Sequence, residues 1–227
     1  MTDQEPITIL CLASYEKGFD FLREAKAQGC RVYLVTTTKL QDVAWPREAL
    51  DDIFFVENMH HLQDLIYAIS YLGRTHRIDR IVALDDFDVE YGAALREHLR
   101  VPGMGETTAR YFRDKLAMRM KADEDGIAVP EFTRILNHSE VKEFMDKVPT
   151  PWVLKPRMGA SSAKVTKMYH AQEVWNEIEK LGDKQSSYLL ERYIAGDVFH
   201  VDALVSDSKV VFASCSKYGI PMLDLTT

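Results

Sequence analysis

Four short apolar runs in the first hundred residues constrain the fold more than any other feature of this chain. They are Ile7–Ala13, Arg31–Thr36, Asp52–Val56 and Ile78–Leu84. The first is continuous in apolar and β-branched residues, and the second and fourth have a similar β-branched content. Strands of this kind are buried on both faces, as the strands of parallel sheets are. Residues at helical spacing lie between the runs, for example before Gly73. The first half therefore predicts a small, open α/β sheet.

The pattern changes after the turn-rich segment 101–105. Several predicted strands there follow one another without a helix between them, which is typical of an α+β lobe followed by an antiparallel meander. A helix is predicted over 113–125, and a second helix is predicted to be capped by Ser139. The predicted strands are Glu131–Leu136, Trp152–Lys155, Lys164–Met168, Ser187–Ile194, Val198–Val205 and Lys209–Ala213, and a further helix covers Ala171–Leu181.

Charge and cysteine content exclude several classes of protein. The chain has 227 residues and a formal net charge of −7, whereas proteins that neutralise nucleic-acid backbones are usually basic. Its three cysteines are widely spaced and lack any metal-ligand spacing, so neither a disulfide framework nor a zinc site is expected. No stretch approaches the roughly 20 apolar residues of a membrane helix, and the start does not resemble a secretory signal. We expect a soluble, cytoplasmic protein that binds neither nucleic acid nor membrane.

The turn after the first predicted strand argues against a nicotinamide dinucleotide site. Such a site carries Gly-x-Gly-x-x-Gly, because glycines let the backbone approach a pyrophosphate at a helix N-terminus. Here the turn contains one glycine, Gly18, preceded by Glu16 and Lys17. A Rossmann oxidoreductase is therefore disfavoured, and the first unit is expected to be a scaffold or to hold part of a different substrate.

Lys155 ends a predicted strand and precedes a loop of small and polar residues. Alternation places its side chain on the same face as Val153. The loop offers hydroxyls and backbone N–H groups that can surround phosphate oxygens, and an ammonium adds a point charge. Taken alone, the pattern fits a surface lysine before a hairpin at least as well, so both interpretations stay open here.

Glu191 is a carboxylate in an otherwise apolar strand, and a buried carboxylate needs a donor. The exocyclic amine of adenine is one such donor, and neighbouring backbone groups could read the rest of the base edge. An ion pair with Arg192 or another cation is the alternative, and Glu191 alone does not decide between them.

The order of these motifs resembles the ATP-grasp superfamily, and in particular carboxylate-amine ligases of the biotin carboxylase and carbamoyl-phosphate synthase type. The motifs are Asp-Lys at 114–115, Pro-x-Val-x-Lys-Pro at 151–156, a Gly/Ser loop, Leu-Glu-Arg-Tyr-Ile-x-Gly-Asp at 190–197 and His-Val-Asp at 200–202. The resemblance implies a Rossmann-like preATP-grasp α/β domain at 1–103 and a helical linker at 104–126. It further implies an α+β lid lobe at 127–188 and the first strands of an incomplete large lobe at 189–227.

The resemblance also implies site residues around the phosphates of ATP. Lys115 and Lys155 match the two phosphate-contacting lysines of the family, so they would be both catalytic and nucleotide-binding. Ser161, Ser162 and Ala163 match the flexible loop that closes over the phosphates, although this chain has fewer glycines there than many family members.

A second set of residues would hold the nucleoside. Glu191, Arg192, Tyr193 and Ile194 match the segment that reads adenine. Asp197, His200 and Asp202 are the candidates for the ribose or the phosphates. Many family members have an acidic residue where this chain has Val198, so Asp197 would substitute from one position earlier.

The function implied is that of an ATP-grasp ligase, which activates a carboxylate as an acyl phosphate for attack by an amine or another nucleophile. Its cofactors would be ATP and Mg²⁺, its partner a small carboxylate, and a homodimer is compatible with the sequence. No metal ligand is assigned, because the family's acidic metal motif is expected after Thr227, and this chain is expected to have little ligase activity alone. A non-catalytic nucleotide-binding module for regulation or assembly is the alternative.

Overall fold

The computed structural model describes residues 5–159 and 165–220, which divide into two compact units. The first unit is Met1–Arg113 and the second is Asp114–Thr227. No helix within the described ranges is both long and apolar enough to cross a membrane.

The first unit contains a four-stranded parallel sheet with the strand order β3-β2-β1-β4. Its strands are β1 (Thr8–Ala13), β2 (Arg31–Thr37), β3 (Asp52–Val56) and β4 (Arg80–Ala83), and its helices are α1 (Phe19–Ala27), α2 (Leu62–Leu72), α3 (Val89–Leu99) and α4 (Glu106–Arg113). Side chains of β1 enter two separate cores, with Leu10 and Leu12 in one and Cys11 and Ala13 in the other. Burial on both faces explains the continuous apolar runs, and the predicted α/β sheet is confirmed.

Helix α3 was not predicted, because its buried face is built mainly from small residues, whereas α4 lies within the predicted helical linker at 104–126. Ala93 and Ala94 are buried in α3, and Ala109 is the buried apolar residue of α4. Small residues let helices approach closely but give a weak apolar periodicity in the sequence.

The turn after β1 is held by an internal carboxylate. The backbone N–H of Ser14 donates to Asp88 Oδ2 at 2.7 Å, and the Ser14 hydroxyl bonds to the other oxygen of Asp88. Asp88 is fully buried, and burial raises its pKa although the bonds from Ser14 oppose the shift. Gly18 precedes α1 as its N-cap and has a φ of 81°. A Cβ atom at this position would lie 2.7 Å from the side chain of Leu84. The glycine thus serves close packing, and the Ser14 N–H is already bonded within the unit.

The second unit contains a four-stranded antiparallel sheet and a separate two-stranded hairpin. Its helices are α5 (Lys115–Glu124), α6 (His138–Lys147) and α7 (Ala171–Leu181). Its strands are β5 (Phe132–Arg134), β6 (Trp152–Pro156), β7 (Thr166–Met168), β8 (Tyr188–Arg192), β9 (Phe199–Ser206) and β10 (Lys209–Lys217). The order in the sheet is β5-β8-β6-β7, and β9 pairs with β10.

The two faces of this four-stranded sheet differ in chemistry. Trp152, Leu154 and Leu190 are buried in one core together with residues of α6 and α7. Strand alternation puts Lys155 and Glu191 on the opposite face. One face of the sheet therefore builds the core, and the other carries charged side chains.

Two details of the predicted second unit were wrong. Helix α6 is capped by Asn137, whose Oδ1 accepts from the backbone N–H of Ser139 at 2.8 Å, so Ser139 lies inside the first turn. The last three strands do not form one meander, because β8 pairs with β5 and β6 while β9 and β10 pair only with each other among the described strands. Strand pairing joins residues distant in sequence, and local patterns do not specify it.

Candidate functional site

The centre of the candidate site is Glu191, which contacts two cations from different parts of the second unit. Lys155 Nζ contacts Glu191 Oε1, and Arg119 Nε lies 3.2 Å from Glu191 Oε2. The side chain of Glu191 is 9% exposed and that of Lys155 is 13% exposed. One carboxylate therefore binds two cations in surroundings that shield them from water, which strengthens their interaction.

The sheet register brings Lys155 to Glu191. Strands β6 and β8 are antiparallel, and Val153 stands directly opposite Glu191. Lys155 lies two residues further along β6, so it is the diagonal neighbour of Glu191 on the same face. Alternation in the sequence predicted the face of Lys155, and the pairing of β6 with β8 supplies its partner.

Helix α5 brings Lys115 to the same group of residues. Lys115 and Arg119 are four residues apart and therefore occupy one face of the helix. Lys115 Nζ donates to the carbonyl oxygen of Gly159 at 2.8 Å, and its backbone N–H donates to the carbonyl oxygen of Arg157 at 2.9 Å. These two hydrogen bonds anchor the start of α5, whose residue Arg119 contacts Glu191, to residues 157–159 directly after β6. The predicted phosphate loop residues Ser161, Ser162 and Ala163 lie outside the described residues.

Asp114 fixes the start of α5 in two ways. Its Oδ1 accepts from the backbone N–H of Leu116 at 3.0 Å, which caps the helix, and it forms a two-pronged ion pair with Arg157. Burial of Asp114 opposes ionisation, but the hydrogen bonds from Arg157 and the helix N-terminus prevail and lower the pKa of Asp114. The Asp-Lys motif therefore has a structural residue followed by a candidate ligand residue.

We expect Asp114→Asn to destabilise the protein by about 1–2 kcal/mol at pH 7, because it removes a largely buried ion pair but keeps a capping oxygen. The pKa of Asp114 is lower in the folded state than its ordinary value of 3.8. Its contribution is therefore full well above pH 4 and disappears as the pH falls through the lowered value. Urea unfolding at several pH values measures the difference.

The control for this experiment is Asp146→Asn, which removes an exposed carboxylate paired with Lys142. We expect little change in stability for the control at any pH. A constant difference between Asp114→Asn and the unmodified protein from pH 7 to pH 2 would contradict the assignment.

The predicted adenine-reading segment follows Glu191 at the end of β8. The backbone N–H of Arg192 donates to the carbonyl of Glu131 at 2.8 Å, and that of Tyr193 donates to the carbonyl of Pro151 at 2.9 Å. Both donors are thus used within the unit, so they are not available to a base. Ile194 follows with a 57% exposed side chain.

Lys167 lies beside this segment, with its Nζ 3.7 Å from the ring centroid of Tyr193. Its position in β7 is opposite Val153, so it belongs to the same sheet face as Lys155 and Glu191. The cation caps one side of the aromatic ring, which orients that ring next to the charged face.

Asp197, His200 and Asp202 make their ion pairs and ring contacts within residues 197–218. Asp197 pairs with Lys217 at 2.7 Å, and His200 pairs with Asp202 at 3.5 Å. The structure thus pairs Lys155 with Glu191 and links Lys115 to them through the helix face that it shares with Arg119. Asp197, His200 and Asp202 lie instead at or next to the β9–β10 hairpin.

Comparison with known proteins agrees with this arrangement of motifs. Residues 112–224, which include the network and the hairpin, match the family model of the ATP-grasp domain. The chain belongs to the ATP-grasp family. Its relatives include the L-arginine-specific L-amino acid ligase of Bacillus subtilis, which is 26% identical over 179 residues, a region that covers 76% of this chain and 43% of the relative.

Solved ATP-grasp structures share the fold. An L-amino acid ligase from Bacillus licheniformis gives a TM-score of 0.74 at 17% identity, over 91% of this chain and 51% of that one. A biotin carboxylase domain dimer from Hydrogenobacter thermophilus, solved with MgADP and bicarbonate, gives a TM-score of 0.69 at 15% identity, over 87% and 46% of the two chains. The chain spans about half the length of the relatives it matches.

The sequence interpretation of this ATP-grasp chain missed Arg119 and Arg157. Both are separated in sequence from their carboxylate partners, Arg119 by 72 positions from Glu191 and Arg157 by 43 from Asp114. The spacing of four between Lys115 and Arg119 was a signal for a shared helix face. It did not indicate which carboxylate that face would meet.

Magnesium is the metal that the family resemblance implies. Within residues 5–159 and 165–220, no three His, Cys, Asp or Glu side chains lie together so as to hold a metal ion. The described side chains therefore do not fit a complete metal site, and the roles below use only the chain's own charged groups.

Proposed function

We propose that this ATP-grasp chain is the nucleotide-binding part of a ligase that activates a small carboxylate with ATP. The proposal rests on the contacts of Glu191. This carboxylate pairs with Lys155 and with Arg119, and Arg119 lies on the same face of α5 as Lys115. Three separated segments named by the family resemblance thus meet at one charged cluster. The description of relatives as amino acid ligases supports the choice of reaction class.

In the proposed reaction, a carboxylate oxygen bonds to the γ-phosphorus of ATP while ADP leaves. The amine nitrogen then bonds to the acyl carbon, the carbon–oxygen bond to phosphate breaks, and the nitrogen loses a proton. Lys115 and Lys155 would offset the phosphate charge during the first step. The chain contributes mainly by positioning and charge neutralisation, so no covalent protein nucleophile is required.

Adenine recognition is assigned to the segment after Glu191. The Glu191 carboxylate would accept a hydrogen bond from the exocyclic amine, and Ile194 would supply the backbone donor, since the N–H groups of Arg192 and Tyr193 are already used. The Tyr193 ring would border the base. The proposed ribose and phosphate contacts are Asp197, His200 and Asp202, and the proposed phosphate loop is Ser161, Ser162 and Ala163.

Two further proposals concern magnesium and assembly. The similar biotin carboxylase domain was solved with MgADP, which supports magnesium as the companion of the nucleotide here, with ligands outside the described residues. The same structure is described as a dimer, which supports a homodimer for this protein.

The test is nucleotide binding and turnover by the full-length protein. Calorimetry with ATP, ADP and GTP in the presence of Mg²⁺ should show adenine nucleotides binding at least about tenfold more tightly than GTP, the equivalent of one good hydrogen bond. ADP release should require both a carboxylate and an amine, for example a pair of amino acids. Absence of nucleotide binding would contradict the proposal, and binding without turnover for any pair would favour a non-catalytic nucleotide-binding module.

A further inference from the structure

Arg119 is the residue of the network to which neither the family motifs nor the proposed chemistry gives a role. Its Nε lies 3.2 Å from Glu191 Oε2, whereas Lys155 occupies the other oxygen. We propose that Arg119 is a positioning residue for base selection, which holds the Glu191 carboxylate in the orientation that reads adenine. This inference rests on the proposed function.

The two cations on Glu191 differ in what they can do when a nucleotide arrives. Lysine has a compact charge on a flexible stem, so Lys155 can leave Glu191 for a phosphate oxygen without any movement of its strand. Arginine has a planar group with a fixed set of donors, and Arg119 binds through Nε, the nitrogen nearest its backbone. Arg119 is thus suited to remain on Oε2 while Oε1 becomes available to the base.

The charges favour the same division of roles. When Lys155 moves towards phosphate, Glu191 loses one of its two partners in a site where its side chain is only 9% exposed. A shielded carboxylate without a cation is unfavourable, and Arg119 supplies the remaining compensation. The arginine therefore allows one lysine to serve the phosphates without leaving the base-reading carboxylate unpaired.

Helix α5 gives Arg119 a fixed platform. Asp114 caps the helix and pairs with Arg157, and the Lys115 backbone N–H bonds to the same segment. Arg119 follows one turn later on the Lys115 face. A side chain on an anchored helix can hold its partner in one geometry, which selection between adenine and guanine requires.

A purely structural ion pair would be the other role for Arg119, and the two roles predict different results. Loss of a structural pair lowers stability and affects all nucleotides alike. Loss of a positioning residue changes the ratio of the affinities for ATP and GTP, because guanine has a carbonyl where adenine has its amine.

The experiment compares Arg119→Met and Arg119→Lys in the full-length protein, with Arg134→Met as the matched control. Arg134 also pairs with a glutamate, Glu140, at 3.0 Å, but at an exposed position in the second unit. Calorimetry gives the dissociation constants for ATP and GTP, and thermal unfolding gives stability. We expect the ATP preference to fall about tenfold in Arg119→Met, to be intermediate in Arg119→Lys and to be unchanged in Arg134→Met.

An unchanged ATP to GTP ratio in Arg119→Met, with or without a lower melting temperature, overturns the inference. If that variant does not fold, the ratio in Arg119→Lys decides, and an unchanged ratio there overturns it as well. Lys155→Ala is measured in parallel. If Lys155→Ala weakens ATP and the Arg119 variants keep their selectivity, only this inference fails, whereas unaffected ATP binding in Lys155→Ala contradicts the proposed function itself.

Discussion

Replacing Lys155 with alanine is expected to reduce kcat/KM for ATP by about 10²–10³-fold, the effect of removing one preorganised charge from a phosphoryl-transfer site. The ammonium is held on the charged sheet face by Glu191 and is only 13% exposed, and its flexible stem lets it exchange Glu191 for a phosphate oxygen without movement of its strand. Its removal leaves Glu191 paired with Arg119 at 3.2 Å. The fold should therefore survive the substitution while phosphate binding does not.

Steady-state kinetics and ATP titration of the full-length protein measure this effect. The matched control is Lys26→Ala, which also removes an ion-paired lysine, one that contacts both oxygens of Asp51 at 2.8 Å in the first unit. We expect the control to bind ATP normally. Equal ATP affinity in Lys155→Ala and Lys26→Ala would refute the assignment of Lys155.

Replacing Glu191 with glutamine is expected to destabilise the second unit by about 2–3 kcal/mol and to remove the preference for adenine. The neutral amide leaves Lys155 and Arg119 near each other without a compensating charge, and breaking a shielded ion pair from one side costs more than the pair contributes. Glutamine also presents a donor where the carboxylate had only acceptors, so the distinction between adenine and guanine is weakened.

Denaturant unfolding and competitive binding of ATP and GTP measure the two effects separately. Glu140→Gln is the control, because Glu140 also pairs with an arginine but at the exposed end of α6. We expect it to change stability by less than about 1 kcal/mol and to keep the nucleotide preference. Retention of full stability and selectivity in Glu191→Gln would contradict the central role of this carboxylate.

Local sequence patterns predicted the elements whose burial is visible along the chain. The parallel strands β1 and β2 are mainly apolar, because their side chains pack into cores on both faces of the sheet. Helix α3 was not predicted because its buried alanines give no strong periodicity. Prediction therefore succeeded where burial requires large apolar residues and failed where close packing requires small ones.

Local patterns were less informative about caps and pairing. Both Asn137 and Ser139 are residues that favour helix caps, and in the structure Asn137 is the cap, because its side chain accepts from the backbone N–H groups of Ser139 and Glu140. Strand β8 resembled part of a terminal meander, yet it lies between β5 and β6. Strands that are distant in sequence compete for the same backbone hydrogen bonds, and a short stretch of sequence contains only one of the competing strands.

The candidate site shows the same division between local and distant information. Residue type and spacing are sufficient to predict the parallel strands, the face on which Lys155 lies and the order of the ATP-grasp motifs. The pairing of Glu191 with both Lys155 and Arg119, and of Asp114 with Arg157, becomes evident only in the folded chain. A charged group interacts most strongly with groups within a few ångströms of it, and folding brings these partners together from positions 36 to 72 residues apart in the chain.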